Sequence, residues 1–112
     1  MIVDKLSPTP TQSETFRRSR LRFVPAVPGC YVLVTPSKEV LYLGLSKDLR
    51  SRMNSHLENE QKTAQTRIGR ATLFYWFETT DMERVERSWM NVHFQHEGML
   101  PILNRIYSPT QS

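Results

Sequence analysis

Tyr31 and Tyr42 stand eleven positions apart, one closing the tripeptide Gly29-Cys30-Tyr31 and the other opening Tyr42-Leu43-Gly44; Ser46, Arg52 and His56 follow. A guanidinium presents a planar fork suited to phosphate, and imidazole exchanges a proton near neutral pH. A phenol hydroxyl can orient a water. Brought into one small volume, these groups could cut a phosphodiester, which needs an activated water, charge neutralisation at the non-bridging oxygens and help for the departing alkoxide. Taken singly, each has a plainer role: a strand tyrosine packs, a helix arginine meets solvent, and a histidine at a helix end satisfies a carbonyl. Their joint order is what carries the chemical reading.

The elements that must hold them can be read from the pattern. Apolar and β-branched runs over 30–34 and 40–43 flank Thr35-Pro36-Ser37-Lys38-Glu39 and predict a hairpin. Side chains alternate faces along a strand, so the two tyrosines share a face only if the loop between paired positions has an even count. A four-residue loop, 36–39, is expected. Ser46 as N-cap, Asp48 at the positive end of the helix dipole and an apolar stripe of Leu49, Met53 and Leu57 predict a helix over 47–59. On it Arg52 lies about 60° from Leu49, bordering the buried stripe, with His56 one turn further on. An exposed loop is expected over 62–70 and a third strand, with large groups on both faces, over 72–77.

Thr80-Asp81-Met82-Glu83 has the form of a capping box, and Met82, Val85, Trp89 and Val92 mark a helix that stops at Gly98. Glu86 falls inside the apolar sector of this helix. A carboxylate buried there without a partner costs several kcal/mol, so a cation is expected beside it. His93, His96 and Glu97 share a helix side, but no second ligand pair accompanies them, and a solvated helix end is the simpler account.

The 112 residues suffice for one compact domain with a modest core. Residues 1–13 and 108–112 are rich in Ser, Thr, Pro and Gln and are expected to be disordered tails around a single domain at 14–107. No uncharged run is long and uninterrupted enough for a membrane span. The unpartnered Cys30 and the lack of an apolar leader point to a reducing, cytoplasmic setting. Charge is uneven: residues 1–72 carry twelve Lys and Arg against six Asp and Glu, whereas 73–112 carry three against five. An electropositive side suits a polyanion. The densest basic cluster, Arg17, Arg18, Arg20 and Arg22, is a candidate phosphate contact, as are Lys47, Arg50, Arg67 and Arg70.

From Pro28 to Asn104 the chain resembles the GIY-YIG nuclease domain family. Gly29-Cys30-Tyr31 and Tyr42-Leu43-Gly44 stand where the family has its two signature tripeptides. Ser46, Leu49, Arg52 and His56 match the helix that follows, Glu86 with Trp89 the metal-binding glutamate and its tryptophan, and Asn104 the terminal asparagine. Cys30 departs from the branched aliphatic residue usual there. The resemblance implies an α/β domain of the α+β type: a small, mainly antiparallel sheet of three strands flanked by helices. It also implies metal-dependent endonucleolytic cleavage of nucleic acid, DNA rather than RNA. Tyr31, Tyr42, Arg52, His56 and Glu86 would be catalytic, and Gly29, Gly44, Ser46 and Asn104 supporting. One Mg²⁺ or Mn²⁺ is implied on Glu86, since a two-metal site needs several carboxylates. Tyr31 would activate the attacking water or only orient it. Selectivity would come from the Arg17–Arg22 segment, the 62–70 loop, self-association or a recruiting protein. The competing expectation is a catalytically idle binding module that retains the fold.

Overall fold

A computed structural model describes residues 1–105. The expected tail at 108–112 and the end of the domain at 107 lie outside the described residues. The fold is of the expected class, but its antiparallel sheet has four strands, in the order β1-β4-β2-β3. These are β1 (Gln12–Thr15), β2 (Gly29–Val34), β3 (Val40–Ser46) and β4 (Leu73–Glu78). The strand missed by sequence is β1, whose residues Gln-Ser-Glu-Thr carry no apolar signal. It forms because β4 offers it a free edge, with Gln12 opposite Trp76 and Thr15 opposite Leu73.

Every residue of β2 is buried, since both faces of the sheet are covered. Beneath α1 (Leu49–Leu57) one face packs Tyr31, Leu33, Leu41, Leu49, Met53, Phe74 and Trp76. Beneath α3 (Met82–Glu97) the other packs Cys30, Val32, Leu43, Val85 and Trp89 with Val3 and Leu6. The first residues are therefore no tail. Val3 and Leu6 are fully buried, and the carbonyls of Ser7 and Pro8 accept hydrogen bonds from Ser88 Oγ and Trp89 Nε1, both at 2.7 Å. The short run Met1-Ile2-Val3 and the single Leu6 beyond it are too few to set a period, so this strap was invisible to pattern reading.

The hairpin reaches its expected geometry by a different route. The last paired positions are Val34 and Val40, leaving five residues between them, an odd count that alone would set the tyrosines on opposite faces. A bulge intervenes: Leu33 pairs with Tyr42 but Val34 with Val40, so Leu41 is the extra residue. Leu41 and Tyr42 consequently both pack on the α1 face, although they are neighbours in sequence. From there the ladder runs Leu33 opposite Tyr42 and Tyr31 opposite Gly44, which returns both tyrosines to one face. Lys38, at φ 68°, takes the left-handed turn that closes the loop.

The helix ends also differ in detail. Asp48, not Ser46, caps α1, its carboxylate accepting from Ser51 N at 3.0 Å. Ser46 Oγ instead closes a turn on Asp48, accepting from its N–H and donating to its carbonyl. No capping box forms before α3: Asp81 holds the cap position without a side-chain cap bond, and its N–H goes to Thr79 Oγ. Gly98 ends α3 as expected, at φ 75°. The expected 62–70 loop begins inside a short helix, α2 (Glu60–Thr63), which turns Lys62 inward. His93 is buried rather than solvated, with Nδ1 donating to the Met99 carbonyl at 2.9 Å. No described helix is long and apolar enough to cross a membrane.

Candidate active site

Gly44 makes the slot in which the site is built. A Cβ there would lie 2.5 Å from Tyr31 Oη and 2.6 Å from Cζ, so only glycine on β3 lets the Tyr31 ring lie across from β2. Phe74 backs the ring on the other side, stacked at 5.2 Å between centroids and 10° between planes. Gly29 performs a similar service lower down, where a Cβ would stand 2.6 Å from the Phe77 carbonyl and 2.9 Å from Leu49. This brings α1 close to the sheet.

His56, carried inward on the last turn of α1, completes the cluster. Its Nε2 lies 2.6 Å from Tyr31 Oη, and both residues are almost wholly buried. Burial chiefly, with Lys62 and Arg52 adding, lowers His56 to about 4. Burial also drives the Tyr31 hydroxyl upward, Tyr42 adding to it and Arg52 opposing. Both groups are thus neutral at pH 7. One neutral group donates to the other across this bond, in the direction that the His56 tautomer sets. Tyr42 meets the His56 ring edge-on at 5.3 Å and lies 6.0 Å from the Tyr31 ring. The three expected aromatic side chains do converge.

Arg52 lies on the helix that carries His56, whereas Glu86 lies on α3 against the other face of the sheet, and the two do not bond to each other. Arg52 is exposed one turn before His56 and lines an open groove of about 470 Å³ with Ser46, Lys47, Asp48, Ser51 and Ser55. Glu86 is half-buried on α3, and burial, with Glu83 adding, pushes its carboxyl above the usual range. Its charge acts on β2 from the far face: after burial it contributes to raising Cys30 to about 12, and a smaller share reaches Tyr31. The cation expected beside Glu86 is absent among the described residues, where neither Glu86 nor Arg52 forms an ion pair. Nor do three His, Cys, Asp or Glu side chains gather anywhere among them. A half-buried, uncompensated carboxylate fits a hard cation that draws its other ligands from water and phosphate.

Asn104 clamps β3 from outside: Oδ1 accepts from Leu43 N and Nδ2 donates to Leu43 O, each at 2.9 Å. Several basic candidates are engaged within the fold. Arg18 reaches Asn54 and Glu58, Arg20 bonds Glu14 at 2.6 Å, and Arg50 donates to the carbonyls of Val24 and Arg22. They tie the 3-10 turn Arg18–Phe23 to β1 and α1. Arg17, Lys47, Arg67 and Arg70 are exposed; Lys47 shares the Arg52 groove, whereas Arg67 lines a separate small cavity with His93 and Glu97. The residue missed by sequence reading is Lys62, whose ammonium lies 4.7 Å over the Tyr42 ring. A lone lysine in a polar run gives no signal of burial.

Residues 27–97 match the family described as the GIY-YIG catalytic domain. Among curated proteins, the chain is similar to UvrABC system protein C of Synechococcus sp. (strain CC9902), 43% identical over 60 residues, which cover 52% of this chain and 9% of that protein. The same protein of Mesoplasma florum is 31% identical over 68 residues, covering 59% of this chain and 12% of the relative. That of Synechococcus sp. (strain CC9605) is 43% identical over 53 residues, covering 47% and 8%. The matched stretch thus spans only 8–12% of the length of these relatives.

Proposed function

The chain belongs to the GIY-YIG family, and from that premise we propose that it is an endonuclease hydrolysing phosphodiesters of nucleic acid, DNA in preference to RNA. The observation that carries this reading is the buried 2.6 Å bond between Tyr31 and His56, with Tyr42 on the same face. A core has no need of such a polar pair, and Gly44 is required to admit it.

Glu86 is the side chain that would hold the divalent ion, Mg²⁺ or Mn²⁺, which when bound acidifies a water and neutralises a non-bridging oxygen. Arg52, exposed and without an acidic partner among the described residues, presents its fork to the phosphate and stabilises charge gained in the transition state. Tyr31 acts by orientation. Its hydroxyl is held above an ordinary phenol, so it is a poor base at neutral pH, while the bond to Nε2 fixes the direction of its remaining lone pairs. His56, neutral, can accept from or donate to that hydroxyl and so holds it in place. Tyr42 closes the pocket against solvent.

The test is incubation of the purified protein with supercoiled plasmid, single strands, branched DNA and RNA, in Mg²⁺, Mn²⁺ or EDTA, beside Arg52→Ala and Glu86→Ala. Cleavage confined to the metal arms and lost in both variants is expected. Cleavage that survives in both variants, or is absent from every wild-type reaction, would overturn the reading; nucleic-acid binding without any cleavage would favour the idle module.

A further inference from the structure

Lys62 is 8% exposed, yet among the described residues its ammonium makes neither a hydrogen bond nor an ion pair. Its stem is buried, while the ammonium keeps contact with solvent and finds no partner among the described side chains. The placement is built, not incidental: Asn59 caps α2 through Gln61 N, and the short helix directs Lys62 inward while Glu60 and Gln61 stay exposed. The Tyr42 ring beneath the ammonium offsets part of the desolvation cost.

The surroundings are one-sided in charge. His56 feels the charges of both Arg52, on its own helix, and Lys62, on α2, and the Tyr31 and Tyr42 rings face it from the sheet. Among the described residues no carboxylate pairs with this cation. The acid that follows α1, Glu58, is exposed and bonded to Arg18, and Glu60 faces solvent. Two cations around a neutral imidazole leave a region that only an anion from outside can balance.

We propose that Lys62 is a substrate-positioning residue, its unpartnered ammonium over the Tyr42 ring taking a phosphate oxygen of the nucleic-acid backbone next to the one that Arg52 holds. This rests on the nuclease reading for the identity of the anion. An ammonium suits the task because a point charge on a flexible stem accepts a backbone oxygen without demanding bidentate geometry.

Binding measured in EDTA across a salt series separates this role from a packing role. Each phosphate contact contributes about 0.9 to the slope of log affinity against log salt on duplex DNA. Lys62→Met, which keeps the buried stem, should lower the wild-type slope by about that amount and raise KM more than it lowers kcat, and Lys62→Arg should restore the slope. Thermal melting checks the fold, and Lys62→Gln replaces the methionine variant if that variant melts at assay temperature. An unchanged slope in a folded variant overturns the proposal, even if the wild type cleaves. A reduced slope in a protein that never cleaves would sustain the phosphate contact and sink the nuclease reading. A wild type that binds no nucleic acid removes both.

Discussion

Replacing Gly44 by alanine should unseat Tyr31. The new methyl would stand 2.5 Å from the hydroxyl oxygen, about 1 Å inside ordinary contact distance, so something must move by that much. The backbone cannot yield easily, because β3 is paired to β2 and clamped by Asn104, so the Tyr31 ring must give way. It has little room, being stacked on Phe74 and bonded to His56. Overpacking of this kind costs about 1–3 kcal/mol, and displacing a buried hydrogen bond adds about 1–3 kcal/mol. Against this, alanine is favoured over glycine in a strand by about 0.5–1 kcal/mol. The net is about 1–5 kcal/mol, centred on about 3, or a fall in Tm on the order of 10 °C for a chain this size. Urea denaturation would measure it, with the same substitution repeated in a Tyr31→Ala background, where the methyl meets space. There the cost should shrink by at least about 1 kcal/mol. Cleavage by the single variant should fall by about 100-fold, as expected for a 1 Å misplacement. Equal costs in the two backgrounds would refute the claim that Gly44 exists to seat this ring.

Glu86→Gln should abolish metal-dependent cleavage, by about 10²-fold or more, while stabilising the apo protein in EDTA at pH 7. Burial raises the carboxyl in the folded state, so the fold binds its proton more tightly than the unfolded chain, and stability is lost as pH rises past the ordinary carboxylate range. Denaturation at pH 4 and pH 7 should show the variant's advantage only at the higher pH. His56 runs the other way: with a folded value near 4 against 6.5 unfolded, stability is full above 6.5 and falls as pH drops towards 4, by about 3 kcal/mol. The difference in stability between wild type and His56→Gln should therefore narrow over that window, and an imidazole resonance titrating near 6.5 would contradict it. Asn104→Ala removes both bonds to Leu43 and should cost about 2 kcal/mol by thermal or chemical melting, without changing the salt dependence of binding.

The parts of this architecture legible in the sequence are those where local pattern and tertiary role agree. The stripe of Leu49, Met53 and Leu57, the aromatic run of β4 and the glycine end of α3 all bury what their periodicity says they bury. The shared face of Tyr31 and Tyr42 was also foreseen, but the bulge at Leu41 that secures it was not, because a bulge is a property of pairing and not of either strand. β1 escaped for the same reason: a polar edge strand exists only by virtue of its partner. Within the site, Tyr31, Tyr42 and His56 were named from sequence and lie together on one face. What escaped was Lys62, buried by the turn of a four-residue helix, and Glu86's lack of an ion-pair partner among the described residues, against the rule that buried carboxylates attract protein cations.

The strap at the start of the chain bears on how the molecule is made. Val3 and Leu6 pack with Trp89, the carbonyls of Ser7 and Pro8 bond residues 81 positions later, and β1 finds β4 only across more than fifty intervening residues. During synthesis these segments emerge first and have nothing to dock on until α3 has left the ribosome. The hairpin and α1, whose contacts are local, can assemble meanwhile. The segment holding Val3 and Leu6 is then among the last to settle, and Trp89 stays uncovered until it does. Any nascent chain halted before α3 would hold Tyr31 and Tyr42 on their hairpin but lack Glu86 and the cover that α3 gives the second face of the sheet.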